Sequence, residues 1–219
     1  MAAHAILSAS GSSKWMNCSG SILAESGMPA DEGSDFAREG TAAHELAEMC
    51  LNSQRPPESY IGVEVEGWIV DEEMADHVSK YVDYCNMHTG KKYYELRVDY
   101  SRWAHGGFGT ADCVAVDDGV LNIIDLKYGT GIKVSAQKNS QLMLYGLGAL
   151  EMFSDEVDVV TMTIVQTRLD HIDTYSIRAK DLLKWAEDEV RPAALATMNP
   201  DPTFNPSPTA CRWCRAKPV

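Results

Sequence analysis

Residues 107–128 read GFGTADCVAVDDGVLNIIDLKY, and the pattern in this stretch decides the fold. Two runs of β-forming residues, Cys113 to Val116 and Val120 to Ile124, flank Asp117-Asp118-Gly119, a composition that favours a tight antiparallel hairpin. Pairing about that turn lays Asp112 across from the Asp125 region. Side chains alternate across a strand, so Asp125 and Lys127 share one face while Leu126 turns to the other. Two carboxylates and an ammonium therefore meet at one edge of a sheet.

Such a set has a chemical use. When water attacks a phosphodiester, negative charge grows on the phosphoryl oxygens and on the leaving oxygen. Carboxylates can hold Mg²⁺ or Mn²⁺ at that point, and an ammonium can orient the water or offset the charge. Exposed charges of this kind are also common on ordinary surfaces, so neither half of the set is decisive alone.

Gly109-Thr110-Ala111-Asp112, followed by Ile123-Ile124-Asp125-Leu126-Lys127-Tyr128, resembles the active-site hairpin of PD-(D/E)XK nucleases. The subgroup it is similar to is the RecB-like exonucleases, which include phage-encoded members. The resemblance implies an α/β fold with a central mixed β-sheet flanked by helices, a restriction-endonuclease-like core, and DNA cleavage dependent on a divalent metal. It implies that Asp112 and Asp125 are metal ligands, that the carbonyl of Leu126 is a third, and that Lys127 positions or activates the attacking water.

Two further motifs fit the same family in the same order. Ser34 to Leu51 has good helix formers behind a plausible cap at Ser34. Within it, Gly40-Thr41-Ala42-Ala43-His44 matches the Gly-Thr-x-x-His pattern that precedes the hairpin in RecB-like nucleases, which implies that His44 is the upstream metal ligand. Glu39, Glu45 and Glu48 are alternatives that helix geometry does not separate. After the hairpin, Gln141 and Tyr145 stand four apart on a helix read over Ser135 to Phe153. They match the Gln-x-x-x-Tyr motif of the subgroup, implied to contact DNA or complete the active site. Gly129-Thr130-Gly131 is a flexible turn whose N–H groups can approach phosphate.

The remaining core elements follow from periodicity. Asp71 to Met87 carries an apolar stripe of Met74, Val78, Tyr81, Val82 and Cys85 at helical spacing. Lys92 to Tyr100 alternates as a strand, and His105 lies in the loop that follows. Val157 to Gln166 and Ile172 to Ile177 read as strands, and Ala179 to Thr197 as a last helix with Leu182, Leu183, Ala186 and Val190 inward and Pro192 as a break. At 219 residues the chain is sized for one domain, read here as residues 1–200 with an N-terminal helical segment. A Pro-rich linker and tail occupy 201–219 and pack back on that segment.

The tail holds Cys211-Arg212-Trp213-Cys214. Several nucleases of the subgroup clamp the two ends of the domain with a [4Fe–4S] cluster. Cys18, Cys211 and Cys214 fit its first three ligand places, and the fourth cysteine would fall one residue beyond Val219. A cluster is therefore implied only if that cysteine exists, since four thiolates are the usual set; a three-thiolate zinc site completed by a histidine is the other metal option. Cys50, Cys85 and Cys113 look like core cysteines.

A net charge of −13 argues against a generally basic nucleic-acid binder and requires any phosphate-binding groove to be local. Lys127, Lys133, Lys138 and Arg168 are its candidates. No apolar run reaches membrane-spanning length and the N-terminus lacks the pattern of a signal peptide, so a cytoplasmic location is expected. The expected activity is a Mg²⁺- or Mn²⁺-dependent DNA exonuclease of phage-type recombination or repair, with DNA as partner, a single-strand annealing protein downstream and homo-oligomerisation possible. An endonuclease of the same fold shares every motif. The acidic surface leaves open a nuclease-fold module that binds DNA or protein without cutting, and the tail leaves open a cluster-bearing accessory protein.

Overall fold

The computed structural model describes residues 5–29, 33–153 and 157–217. Two short helices, α1 (Ser12–Trp15) and α2 (Ser21–Glu25), precede the long α3 (Asp35–Ser53). Ser34 caps α3, its side chain accepting from Ala37 N. A small hairpin, β1 (Glu64–Val65) and β2 (Trp68–Ile69), leads to α4 (Glu72–Met87), which Asp71 caps through Met74 N.

Then come β3 (Lys91–Asp99), β4 (Phe108–Asp117), β5 (Val120–Leu126), α5 (Ser140–Phe153), β6 (Val159–Gln166) and β7 (His171–Arg178). The strands form one five-stranded sheet in the order β3-β4-β5-β6-β7. All neighbours are antiparallel except β5 and β6, which run parallel and are joined through α5. The sheet is therefore mixed and flanked by helices, the fold that the family resemblance of the hairpin implies. Asp117 pairs with Val120, leaving Asp118 (φ 44) and Gly119 (φ 78) as a two-residue turn with both residues left-handed.

Helices cover both faces. On one side α5 and the helices after β7 pack on Val114, Leu121, Ile123, Val160, Met162 and Ile164. On the other, α3 and α4 pack on Cys113, Ile124, Leu126 and Val165, with Cys50 and Cys85 in the same apolar cluster. That is why β5 reads as a nearly continuous apolar run: successive residues serve opposite cores.

Gly148 lets α5 lie close against β3, because a Cβ there would come within 2.8 Å of Val98 Cβ and 3.0 Å of Asp99 N. Gly148→Val is expected to cost about 1–3 kcal/mol through overpacking, seen as a lowered thermal midpoint; an unchanged midpoint would mean that the helix can shift freely.

Two elements depart from expectation. α5 begins at Ser140 rather than Ser135. Asp173 Oδ2 accepts the Ser135 hydroxyl and the Ala136 N–H, both at 2.8 Å, and Asn139 Oδ1 accepts from Gln141 N and Leu142 N, so residues 129–139 are a pinned loop. The last helix is divided into α6 (Ala179–Trp185), a π-helical turn (Ala186–Val190) and α7 (Arg191–Thr197). The wider turn precedes Pro192, which has no N–H to give the helix. Leu182, Ala186 and Val190 are buried, whereas Leu183 is 38% exposed and does not face the core.

The chain ends with α8 (Pro208–Cys211), capped by Ser207. The segment from 203 to 215 lies against the N-terminal helices. Gly20 N donates to Thr203 O, Asn205 Nδ2 to Asn17 O, and Arg215 N to Glu25 Oε1. Among the described residues, no helix is long and apolar enough to cross a membrane.

Candidate metal centre

Strand register builds the site. Cys113 pairs with Ile124, so Asp112 on β4 stands opposite Asp125 on β5. Tyr94 pairs with Cys113 and Leu96 with Ala111, so Glu95 on β3 stands opposite Asp112. Three carboxylates thus form a row across three adjacent strands. The β4–β5 ladder stops at the Cys113–Ile124 pair, and beyond it the Leu126 N–H goes to Asp112 Oδ2 (2.7 Å). The two strands part at this end, which opens the row to the helices on either side.

From α3, His44 brings Nδ1 to 3.4 Å from Asp112 Oδ2. His44, Glu95 and Asp112 each offer a donor atom within 4.8 Å of the others. From α5 come Gln141 and Tyr145. Lys127 Nζ lies 2.8 Å from Asp125 Oδ2 as an ion pair, and it donates to Gln141 Oε1 at 3.3 Å. Gln141 Nε2 in turn donates to Asp125 Oδ1 (3.2 Å) and to the Tyr145 hydroxyl oxygen (3.1 Å). Gly109 makes room for the tyrosine, since a Cβ there would lie 2.6 Å from its ring.

The sequence-derived residues therefore fall into two connected groups, His44 with Asp112 and Asp125 with Lys127, Gln141 and Tyr145. Asp125 lies outside the donor triad, and Leu126 enters through its N–H. Glu95 completes the triad and is the residue that sequence reading missed. Its place in KYYELRVDY looks like one more polar position of an alternating strand, and only the β3–β4 register reveals what it faces.

The alternatives are spent elsewhere. Glu39 is paired with Arg168 (3.0 Å), and Arg168 also holds Glu73 (2.9 Å) and covers the Tyr128 ring. Arg168 is thus occupied by protein carboxylates. Glu45 and Glu48 lie outside the triad, with Glu48 accepting from Asn52, and His105 is exposed in the turn after β3.

Among the described residues the triad is the only set of three such donors within 4.8 Å of one another, so Cys18, Cys211 and Cys214 do not form one. Cys18 is buried with its sulfur accepting the Asn205 N–H. Three cysteines fall one thiolate short of a cluster's usual set. Val219, one residue beyond which a fourth cysteine would have to fall, lies outside the described residues.

Residues 4–219 match the family described as Protein of unknown function (DUF2800). The chain belongs to the DUF2800 family. A solved structure described as the crystal structure of SSO0001 aligns over 98% of this DUF2800 chain and 85% of that one, at 16% identity and a TM-score of 0.39. That superposition is too loose to bear on chemistry.

The electrostatics of the DUF2800 site follow from the row. Burial opposes ionisation of Asp112, but His44, Lys127 and the Leu126 N–H outweigh it and hold the carboxyl below its ordinary range. Burial raises Asp125 despite Lys127. Burial and then Asp112 push Glu95 up to about 7. Burial works against a charge on His44, yet Asp112 beside it brings the net shift upward.

These directions set a pH dependence. With its folded value above its unfolded one, Glu95 binds its proton more tightly in the native state, so its contribution to stability falls as pH rises from about 4.5 to about 7. His44, also raised, contributes stability below its ordinary value and loses it as pH climbs through the folded one. Glu95→Gln should therefore gain on wild type in thermal midpoint between pH 5 and pH 8. A constant difference between the two proteins across that range would remove Glu95 from the charged row.

Proposed function

We propose that this DUF2800 chain is a metal-dependent deoxyribonuclease of the PD-(D/E)XK type, RecB-like in its motifs, and an exonuclease that hydrolyses phosphodiester bonds from a DNA end. The observation that carries this reading is the row of Glu95, Asp112 and Asp125, with His44 beside Asp112 and Lys127 beside Asp125. Like charges opposite one another across strands are destabilising. Partly or fully buried ones call for a counter-charge beyond what His44 and Lys127 provide. A hard oxygen set with one imidazole suits Mg²⁺ or Mn²⁺.

His44, Glu95 and Asp112 would hold the ion, with Asp125 the adjacent carboxylate. Bound there, it supplies Lewis-acid stabilisation of the charge that grows on the phosphoryl and leaving oxygens. The chain's own groups do the rest. Lys127, fixed between Asp125 and Gln141, is placed to orient the attacking water and to offset negative charge at the phosphate. Gln141, itself bonded to Tyr145, keeps both Lys127 and Asp125 in position.

One observation favours a second reading, a module that binds DNA without cutting: Asp125 is closed into its pair with Lys127 and Gln141 and stands outside the donor triad. Digestion of end-labelled linear and closed circular DNA in Mg²⁺, Mn²⁺ or EDTA decides between them. Metal-dependent loss of linear DNA alone, absent in Asp112→Ala and Lys127→Ala, is the expected result. Cutting of circles makes the protein an endonuclease, and intact DNA under every metal with folded protein leaves the binding module.

A further inference from the structure

Beside Lys127 and Gln141 opens a groove of about 800 Å³ between the 129–140 loop, the start of α1 and the tail. Lys127, Lys133, Lys138 and Arg212 line it, and none of the described aspartates or glutamates does, in a chain that carries 32 acidic residues. Lys133, Lys138 and Arg212 form no ion pair among the described residues, whereas Lys14, Lys80, Lys184, Arg168, Arg178 and Arg191 are all committed to carboxylates. Arg55, Lys92, Arg97 and Lys180 are also outside any ion pair among the described residues, but here three such cations line one groove with no acid among its described lining residues.

The walls are built. Buried Gln166 accepts from Val134 N (3.0 Å) and donates to the carbonyls of Gly129 (3.2 Å) and Ile132 (3.1 Å), while Asp173 holds Ser135 and Ala136 from behind. The Ser12 and Ser140 hydroxyls meet at 2.6 Å and join α1 to the head of α5. Across from the loop stands Trp213, 73% exposed, with the Arg212 guanidinium 5.4 Å from its ring centre. The tail that presents it is anchored by Arg215, whose N–H reaches Glu25 Oε1 (2.8 Å) and whose side chain reaches the carbonyl of Pro29 (2.7 Å).

An exposed indole beside unpaired cations is a surface for an unpaired base and its phosphates. Every base has a face to stack, and stacking with backbone charge contacts is how single strands are held without reading sequence. Bases in a duplex are already stacked on one another and offer no such face along the helix. We infer that this groove binds single-stranded DNA, with a base stacked on Trp213 and phosphates on Lys133, Lys138 and Arg212, and leads the strand to Lys127. The inference rests on the nuclease reading for what happens at Lys127, but binding in the groove does not require cleavage.

The test is fluorescence anisotropy of a labelled oligo-dT and of a blunt hairpin duplex with the whole protein, in EDTA and in Ca²⁺, over a range of salt. The oligo-dT should bind more tightly than the duplex. Trp213→Ala should weaken it roughly 5- to 100-fold, and Trp213→Phe, which keeps an aromatic face, should restore most of the loss. Lys133→Ala with Lys138→Ala should reduce the slope of log affinity against log salt by about 1.4. Equal or tighter binding of the duplex, or oligo-dT binding indifferent to Trp213→Ala, overturns the inference; the indole is exposed, so its removal does not unfold the protein. If wild type digests DNA while Trp213→Ala binds normally, only the groove falls. If no DNA is cut but binding depends on Trp213, the nuclease reading falls and the groove stands.

Discussion

Asp112→Asn is expected to end the proposed metal-dependent DNA cleavage, with turnover down by about 10²–10³-fold at the least. Asp112 occupies the centre of the carboxylate row, opposite both Glu95 and Asp125, and is the neighbour of His44. Asparagine has the same shape and retains an oxygen for the Leu126 N–H, the contact that bridges the parted ends of β4 and β5. What it removes is the charge. Circular dichroism should therefore be unchanged while digestion stops and the rise in thermal midpoint given by Mn²⁺ shrinks. A variant that cuts within about tenfold of wild type, or that keeps the full metal-induced shift, would take Asp112 out of the metal centre.

Lys127→Met should produce the largest stability change in the site along with a loss of turnover of about 10²–10⁴-fold. Asp125 is only 2% exposed, and Lys127 is its ion-pair partner. Removing one member of a buried pair leaves the other uncompensated, at a cost of about 3–5 kcal/mol. Burial already raises the Asp125 carboxyl. Its contribution to stability therefore falls as pH rises above the ordinary carboxylate range, and without the ammonium that fall extends further. Denaturant titrations should find a greater deficit for Lys127→Met at pH 8 than at pH 5, and adding Asp125→Asn should recover most of it. If the deficit is the same at both pH values, or the second substitution recovers nothing, the two side chains are not energetically coupled.

The hairpin was legible because its information is local. Asp118-Gly119 specifies a two-residue turn, the turn fixes the register, and the register puts Asp112 opposite Asp125. The helix carrying His44 was legible from its cap and composition. What escaped depends on partners distant in the chain. Glu95 acquires its meaning from a strand pairing, with nothing in its neighbours to distinguish it. Arg168 has the look of a free cation until α3 and α4 bring Glu39 and Glu73 to it. The start of α5 was misplaced because helix propensity is a weak preference, and Asp173 and Asn139 draw the backbone donors of residues 136, 141 and 142 away from that earlier start.

The clasp between the two ends of the chain has a consequence for how the molecule is made. Its contacts join positions 183 to 190 residues apart, among them Gly20 with Thr203 and Glu25 with Arg215. Synthesis delivers the N-terminal helices first and the sheet next, and domains can begin to organise as they leave the ribosome. The wall that bears Trp213 arrives after the sheet and must close a long loop back to the N-terminal helices. A nascent chain would thus carry its carboxylate row before the groove beside it is walled, and the strand binding inferred for that groove would wait until translation had passed residue 215.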